Sequence, residues 1–219
     1  LNEDFLREVA AQLRKPSGEF GNEVAENMNL SNRAMNMGAI EALSIQHDET
    51  ILEIGMANGA FVPEILSRGD RVNYVGVDYS ADMVELAAIQ NKAHIENGYV
   101  EFLLGEISQL PVSPNSIDKI FTVNTIYFWE SSKIAIEEVR RTLKPGGLFI
   151  IAFRPEGCIR KYPSTQFNFE YFDIHSVEKL MKEHGFELFP SIHKTEPEME
   201  ILGEMIIPEH AIVIGKKTT

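Results

Sequence analysis

The stretch Ile51-Leu52-Glu53-Ile54-Gly55-Met56-Ala57-Asn58-Gly59-Ala60-Phe61 decides how this chain folds. Ile51, Leu52 and Ile54 form a short apolar run suited to a buried strand. Gly55 to Gly59 make a tight turn, and Phe61 to Ser67 begin a helix. A second apolar run, Val72-Asn73-Tyr74-Val75-Gly76-Val77, follows Gly69 and ends in Asp78. Strand, glycine turn, helix and strand compose a βαβ unit with an acid at the tip of its second strand. Such a unit suits the ribose of a nucleotide-like ligand. Gly55 and Gly59 lack the Cβ that would hold backbone away from the ligand, and the Asp78 carboxylate can accept hydrogen bonds from both ribose hydroxyls.

The acid and the small residues at every second position, Glu53, Gly55, Ala57 and Gly59, resemble the first motif of the class I S-adenosylmethionine-dependent methyltransferases, with Ala57 standing where that family has glycine. A dinucleotide loop of the form G-x-G-x-x-G would place glycines at 55, 57 and 60, where this chain has Gly55, Ala57 and Ala60. A pyrophosphate needs the close backbone approach that those glycines allow, whereas S-adenosylmethionine carries no phosphate. An NAD(P)-dependent oxidoreductase and a non-catalytic S-adenosylmethionine-binding protein are the alternatives.

The resemblance implies a Rossmann-like fold: a doubly wound α/β, seven-stranded, mostly parallel sheet with helices on both faces and a C-terminal antiparallel hairpin. Residues 1–45 would form an N-terminal helical cap and residues 46–219 the methyltransferase domain. It further implies S-adenosyl-L-methionine as cofactor. Gly55, Ala57 and Gly59, with Glu53 in the same motif, would cradle the methionine part and Asp78 the ribose. Tyr79 and Met83 match positions the family places around the adenine, with core packing as the other reading of Met83. Gly105-Glu106-Ile107, after a strand at Val100 to Leu104, matches the family's small-acid-apolar pattern for the adenine. Glu106 replaces the commoner aspartate. A later run, Val139-Arg140-Arg141-Thr142-Leu143-Lys144-Pro145-Gly146-Gly147, is similar to a structural segment of the same family, in the expected order along the chain.

Composition narrows the class. At 219 residues with 44% hydrophobic content, the chain is long enough for one domain with a full core. Thirty-three acidic against 20 basic residues give a net charge of −13, which leaves little from which to build a surface for nucleic acid. Apolar runs such as Leu148 to Phe153 are too short to span a bilayer, and no basic-then-apolar leader opens the chain. Cys158 is alone, so an internal disulfide is impossible. The expectation is a soluble, cytoplasmic protein. The six histidines form no H-E-x-x-H or other close pair, so no metal site is expected.

Ahead of the first strand, helical stretches are expected from Asn2 to Leu13, from about Asn22 to Asn29, and from about Asn32 to Leu43. In the family such helices often lie over the cofactor and help to form the substrate pocket. Asn32 and Met35 are therefore candidates for substrate contact. Met28, Met35 and Met37 either offer an adaptable apolar wall or pack on the sheet. Ser80 is the expected cap of a helix reaching Ile95.

Strand four, Ile117 to Val123, ends in Asn124-Thr125-Ile126-Tyr127-Phe128-Trp129. Ligands of doubly wound sheets collect at strand C-termini near the switch point, which places Asn124 near the methionine end or the acceptor. Nucleic-acid amine methyltransferases often carry Asn/Asp-Pro-Pro-Tyr/Phe here, but Thr125 and Ile126 replace both prolines. The run Tyr127-Phe128-Trp129, Tyr127 and Trp129 above all, is a candidate wall facing an apolar or aromatic small molecule, against a core reading of the same run. A small-molecule acceptor, of the kind used by quinone-biosynthesis methyltransferases, follows from the resemblance. The aromatic segment from Arg154 to Phe172 is a candidate lid, and His175 is either a base or a surface residue.

Overall fold

Alternate residues of the central strands enter opposite layers of core. Ile51, Tyr74, Phe121, Ile150 and Ile212 belong to one apolar cluster, whereas Leu52, Val77, Ile120, Phe149, Ile151 and Val213 belong to the other. That two-residue period is why these strands read as continuous apolar runs: a parallel sheet covered on both faces has no polar side. Each fully buried Ile or Leu contributes about 1.5–3 kcal/mol relative to an exposed one.

The computed structural model describes residues 2–218. Three helices come first, α1 (Glu3–Arg14), α2 (Gly18–Ser31) and α3 (Arg33–Leu43), followed by β1 (Thr50–Ile54), α4 (Val62–Leu66) and β2 (Asn73–Asp78). Next come α5 (Ala81–Gln90), α6 (Lys92–Glu96), β3 (Val100–Leu104), β4 (Ile117–Val123), α7 (Ser132–Thr142) and β5 (Leu143–Phe153). The C-terminal part holds α8 (Glu156–Ile159), α9 (Ile174–Glu183), β6 (Phe186–Leu188), β7 (Ile192–Thr195), β8 (Met199–Ile201), β9 (Glu204–Ile206) and β10 (Glu209–Lys217). The sheet order is β3-β2-β1-β4-β5-β10-β6, with β7 also on β10. Strands β1 to β5 pair in parallel, and β10 runs antiparallel to β5, β6 and β7.

The expected α/β sheet is present, with eight strands rather than seven. The run Phe186 to His193 forms two strands rather than one, interrupted between Leu188 and Ile192, where Pro190 has no N–H to offer the ladder. Both pieces pair with β10. The acidic connection beyond them folds into its own two-stranded hairpin, β8 with β9.

Local chemistry sets several boundaries. Asn2 caps α1 by accepting from Asp4 N, and Asp173 forms a reciprocal capping box with Ser176 at the start of α9. The helix expected to run from Ser80 to Ile95 breaks at Asn91. That buried side chain donates to the Ala87 carbonyl at 3.0 Å and the Gly59 carbonyl at 3.2 Å, tying the helix to the glycine turn. Lys144-Pro145-Gly146-Gly147 lies within the span of β5, as an irregularity between the Ile117–Leu143 and Lys119–Leu148 pairings. Asp118 accepts from Thr50 N at 2.9 Å and from Lys144 Nζ at 2.7 Å, so it staples strands together.

Among the described residues no helix is long and apolar enough to cross a membrane. Helix α3 packs directly on the sheet, with Met35, Ala39, Ile40 and Leu43 in the same core cluster as Ile150 and Ile212. Helix α1 and the turn after it fold over the C-terminal end of β2: the Tyr79 hydroxyl donates to the Arg14 carbonyl, and Gly18 N donates to Asp82 Oδ2.

Candidate active site

Strand order reverses between β1 and β4, and a cavity of about 400 Å³ lies over the C-terminal strand ends there. Its floor comes from four of those ends: Glu53 to Ala57 after β1, Val77 to Tyr79 after β2, Gly105 to Ser108 after β3, and Val123 to Thr125 after β4. Its roof is built from Leu13, Arg14 and Pro16 of the first helix and turn, and from Met28, Asn29, Asn32 and Asn36.

The glycine turn and the acid of β2 are joined directly. Asp78 Oδ2 accepts from Ala57 N at 3.0 Å, Asp78 Oδ1 from Ser80 N at 2.9 Å, and Gly55 N donates to the Val77 carbonyl at 2.7 Å. A carboxylate has about four lone-pair sites, so two backbone bonds leave capacity for hydroxyl donors. Gly55 has a φ of 77°, and a Cβ there would collide with Thr125 Cγ2. Ala57 occupies the left-handed region at φ 49°, which accounts for glycine at that position in the family motif.

Two carboxyl groups in the cavity are held above their usual range. Burial pushes Asp78 up to about 6, against the opposing pull of the backbone N–H groups of Ser80 and Ala57. Burial also pushes Glu53 up to about 7, opposed by the Tyr74 hydroxyl, which donates to Glu53 Oε2 at 2.6 Å, and assisted by the charge of Asp78. Four carboxylates, Glu53, Asp78, Glu106 and Glu130, line the cavity against one guanidinium, that of Arg14. A site with this balance suits a cation and offers little to a pyrophosphate.

A relay of hydroxyls fixes the far wall. Thr122 Oγ1 donates to the Ile54 carbonyl at 2.8 Å, so Thr125 Oγ1, 2.5 Å away, donates to Thr122 and accepts from Trp129 Nε1 at 3.1 Å. Trp129 is thereby anchored across β1 and β4 with its side chain at the cavity. Asn124, at φ 57°, donates from Nδ2 to Asn32 Oδ1 at 3.0 Å and accepts the Tyr127 hydroxyl on Oδ1 at 2.9 Å.

Of the residues expected to form the site, Glu53, Gly55, Ala57, Asp78, Tyr79, Gly105, Glu106, Ile107, Asn124, Asn32 and Trp129 line this one cavity. Four do not. Gly59 faces α5, where a Cβ would sit 2.9 Å from Asn91 Nδ2. Met83 is fully buried and packs as core. Met35 is fully buried in the cluster between α3 and the sheet. Tyr127 turns inward, 2% exposed, with its hydroxyl also accepting from Arg154 N at 2.6 Å. The core reading of Tyr127 and Met35 is the one that describes them.

The segment from Arg154 to Phe172 contributes no lining residue. Instead Phe169 packs edge-to-face against Phe128, 4.6 Å between ring centroids, supporting the wall from behind. His175 is exposed and lies outside the cavity. Leu13, Arg14, Pro16, Phe61, Thr125, Glu130, Ser131 and Ile134 line the cavity without having been singled out from sequence as contacts. For the first three no local signal exists, because a helix far away in the chain brings them in. Their neighbour Tyr79 gives only a hint.

Fold and cavity together define a doubly wound protein with an acidic cavity, suited to a cation rather than a pyrophosphate, at its switch point. Comparison with known proteins agrees. A family model described as a methyltransferase domain matches residues 52–151. An uncharacterized methyltransferase of Bacillus subtilis, YdaC, is 30% identical over 128 residues, covering 58% of this chain and 68% of its own length. The O-methyltransferase rstn1 of Aspergillus nomiae is 26% identical over 157 residues, covering 71% of this chain and 67% of its own. The crystal structure of a SAM-dependent methyltransferase from Thermotoga maritima superposes with a TM-score of 0.67 at 24% identity, over 91% of this chain and 97% of that one, which speaks for the fold. The chain belongs to the class I S-adenosylmethionine-dependent methyltransferases.

The residues present fit that cofactor. Gly55 and Gly105 line the cavity without side chains, and the buried carboxyl groups of Glu53 and Asp78 offer acceptors to a cation and to hydroxyl donors.

Proposed function

We propose that this enzyme methylates a small organic acceptor within the cavity over the β1–β4 switch point. The observation that carries the reading is the cavity itself: about 400 Å³, roofed by α1 to α3, and lined by no histidine, lysine or cysteine. Its volume falls in the range for small ligands, and its roof would exclude a bulky polymer from the reacting end. Bound S-adenosylmethionine supplies an electrophilic methyl on a sulfonium, a centre that turns neutral once the methyl has left.

In this reading Asp78 accepts the ribose hydroxyls, and Gly105, Glu106 and Ile107 flank the adenine with Tyr79. Gly55 and Ala57 leave space for the methionine part, while Glu53 supplies negative charge beside it. Asn124 lies near the methionine end or the acceptor, and Asn32 and Trp129 bound the acceptor side. Phe61, Phe128 and Met28 keep water from the reacting groups, which strengthens every electrostatic contact inside. With no histidine, lysine or cysteine lining the cavity, rate enhancement rests on alignment and on an acceptor that is nucleophilic without a strong base. An oxygen acceptor is favoured by the relative named as an O-methyltransferase. Residues 1–45 act as the cap over the site, with α3 also serving as part of the sheet's packing layer. A cytoplasmic location is part of the same proposal, supported by the single, buried Cys158.

Calorimetric titration with S-adenosylmethionine and, separately, with NADH tests the cofactor side: binding of NADH alone refutes the proposal. Release of S-adenosylhomocysteine is then measured with pools of small phenols, carboxylic acids and amines, and with protein and RNA substrates. Turnover confined to the macromolecules refutes the small acceptor, and binding without turnover on any of them identifies a non-catalytic binder.

A further inference from the structure

Arg154 follows directly on the last residue of β5, is 1% exposed, and lines no part of the cavity. Its guanidinium joins two regions far apart in the chain. Nη2 donates to the Ser31 carbonyl at 2.9 Å and reaches Asn32 Oδ1 at 3.4 Å, both at the junction of α2 with α3. Nη1 donates to Glu196 Oε1 at 3.1 Å and to the Glu209 carbonyl at 3.3 Å, in the C-terminal segment.

Glu196 Oε1 also accepts from His210 Nδ1 at 2.6 Å. A carboxylate only accepts, so the imidazole proton sits on Nδ1; Nε2 is buried with no partner among the described residues. The cluster is therefore a buried Arg154–Glu196 ion pair whose carboxylate oxygen is shared with His210, and burial lowers the proton affinity of that histidine. Taking such a pair out of water is costly, and apolar residues of similar volume often serve stability as well or better. Its presence calls for a role in placing something.

What it places is visible in the bonds. Asn32 Oδ1, beside Arg154, accepts from Asn124 Nδ2; Asn124 Oδ1 accepts the Tyr127 hydroxyl; and the Tyr127 oxygen accepts the backbone N–H of Arg154. The path leaves the Arg154 side chain and returns to its main chain. It encloses two of the asparagines that line the cavity, Asn32 on the roof and Asn124 on the floor. Asn124 is in the left-handed region, a conformation that its surroundings must hold in place.

We propose that Arg154 is a positioning residue: held in aim by Glu196, it fixes Asn32 and, through Asn32, the orientation of Asn124, so that the C-terminal segment sets how the roof of the cavity meets its floor. The inference rests on the reading that the cavity holds S-adenosylmethionine. The test measures dissociation constants of S-adenosylmethionine and S-adenosylhomocysteine by calorimetry, together with the emission of Trp129 and the melting temperature. It compares wild type, E196Q, R154K, N32A and the double variants E196Q/N32A and R154K/N32A.

Expected are losses of about tenfold in affinity for E196Q and R154K, a shift in Trp129 emission, and no further loss when either is combined with N32A, because Asn32 relays the effect. Unchanged affinity in a folded variant with a lowered melting temperature overturns the inference, since that is what a purely structural pair would give. Losses that multiply with that of N32A overturn it as well. If R154K does not fold, E196Q decides alone, because glutamine keeps the shape of the side chain while removing the charge that holds the guanidinium in aim. A wild-type protein that binds neither nucleoside overturns the cofactor reading itself, and the inference with it.

Discussion

Replacing Glu53 with glutamine should make the cofactor-free protein more stable at pH 8 and leave it nearly unchanged at pH 4. Glu53 is buried and its carboxyl is raised from 4.5 to about 7, chiefly by burial. Below pH 4.5 the group is neutral in both folded and unfolded chains, so folding bears no cost. Between 4.5 and 7 the unfolded chain releases the proton that the folded chain retains, and stability falls. Above 7 both are ionised and the whole cost stands, about 3 kcal/mol as an upper figure. Glutamine removes that cost and can still accept the Tyr74 hydroxyl, whose bond to Glu53 Oε2 is 2.6 Å. The expected gain at pH 8 is about 2–3 kcal/mol, or roughly 4–12 °C in melting temperature for a chain of this size. Urea titrations followed by the fluorescence of Trp129, the single tryptophan, measure it at pH 4 and pH 8. A gain of equal size at both pH values, or a loss at pH 8, would refute the assignment of burial as the cause. Cofactor affinity should move the opposite way, weakening in Glu53→Gln as the negative charge facing the ligand disappears.

Asp78→Ala should weaken S-adenosylmethionine binding by about 1–3 kcal/mol through lost ribose hydrogen bonds, and calorimetry showing unchanged affinity would mean that the ligand sits elsewhere. In the wild type, affinity should rise between pH 5 and pH 8, because Asp78 and Glu53 ionise near 6 and 7 and the ionised forms are the better acceptors; titration across that range gives the slope. Gly55→Ala should cost at least tenfold in affinity, since the added methyl meets Thr125 Cγ2 at a φ of 77°. Adding Thr125→Ser, which removes that methyl, should recover part of the loss but not the backbone strain. Ala57→Gly should stabilise the fold by no more than about 1 kcal/mol in chemical denaturation and leave cofactor affinity as it was, because relief at φ 49° is offset by a freer unfolded chain.

The sequence by itself determined the βαβ unit, the parallel sheet and the family. Those follow from local alternation of apolar residues and from the turn residues Gly55 and Gly59, whose chemistry acts within a few positions of the chain. It also placed Asp78 at the strand tip beside the turn, because a strand's end and the next strand's end are fixed by the unit's own length. Only the tertiary structure decided which aromatics of Tyr127-Phe128-Trp129 line the cavity. A run past a strand end has no steady period; the backbone N–H of Arg154, just past β5, turns Tyr127 inward, and Trp129 is anchored on the Thr125 hydroxyl, which is itself bonded to Thr122 of β4. The same holds for the roof. Arg14 reaches the cavity by way of a bond to Tyr79, and Glu196 reaches Arg154 from the far end of the chain, across separations that no local pattern records.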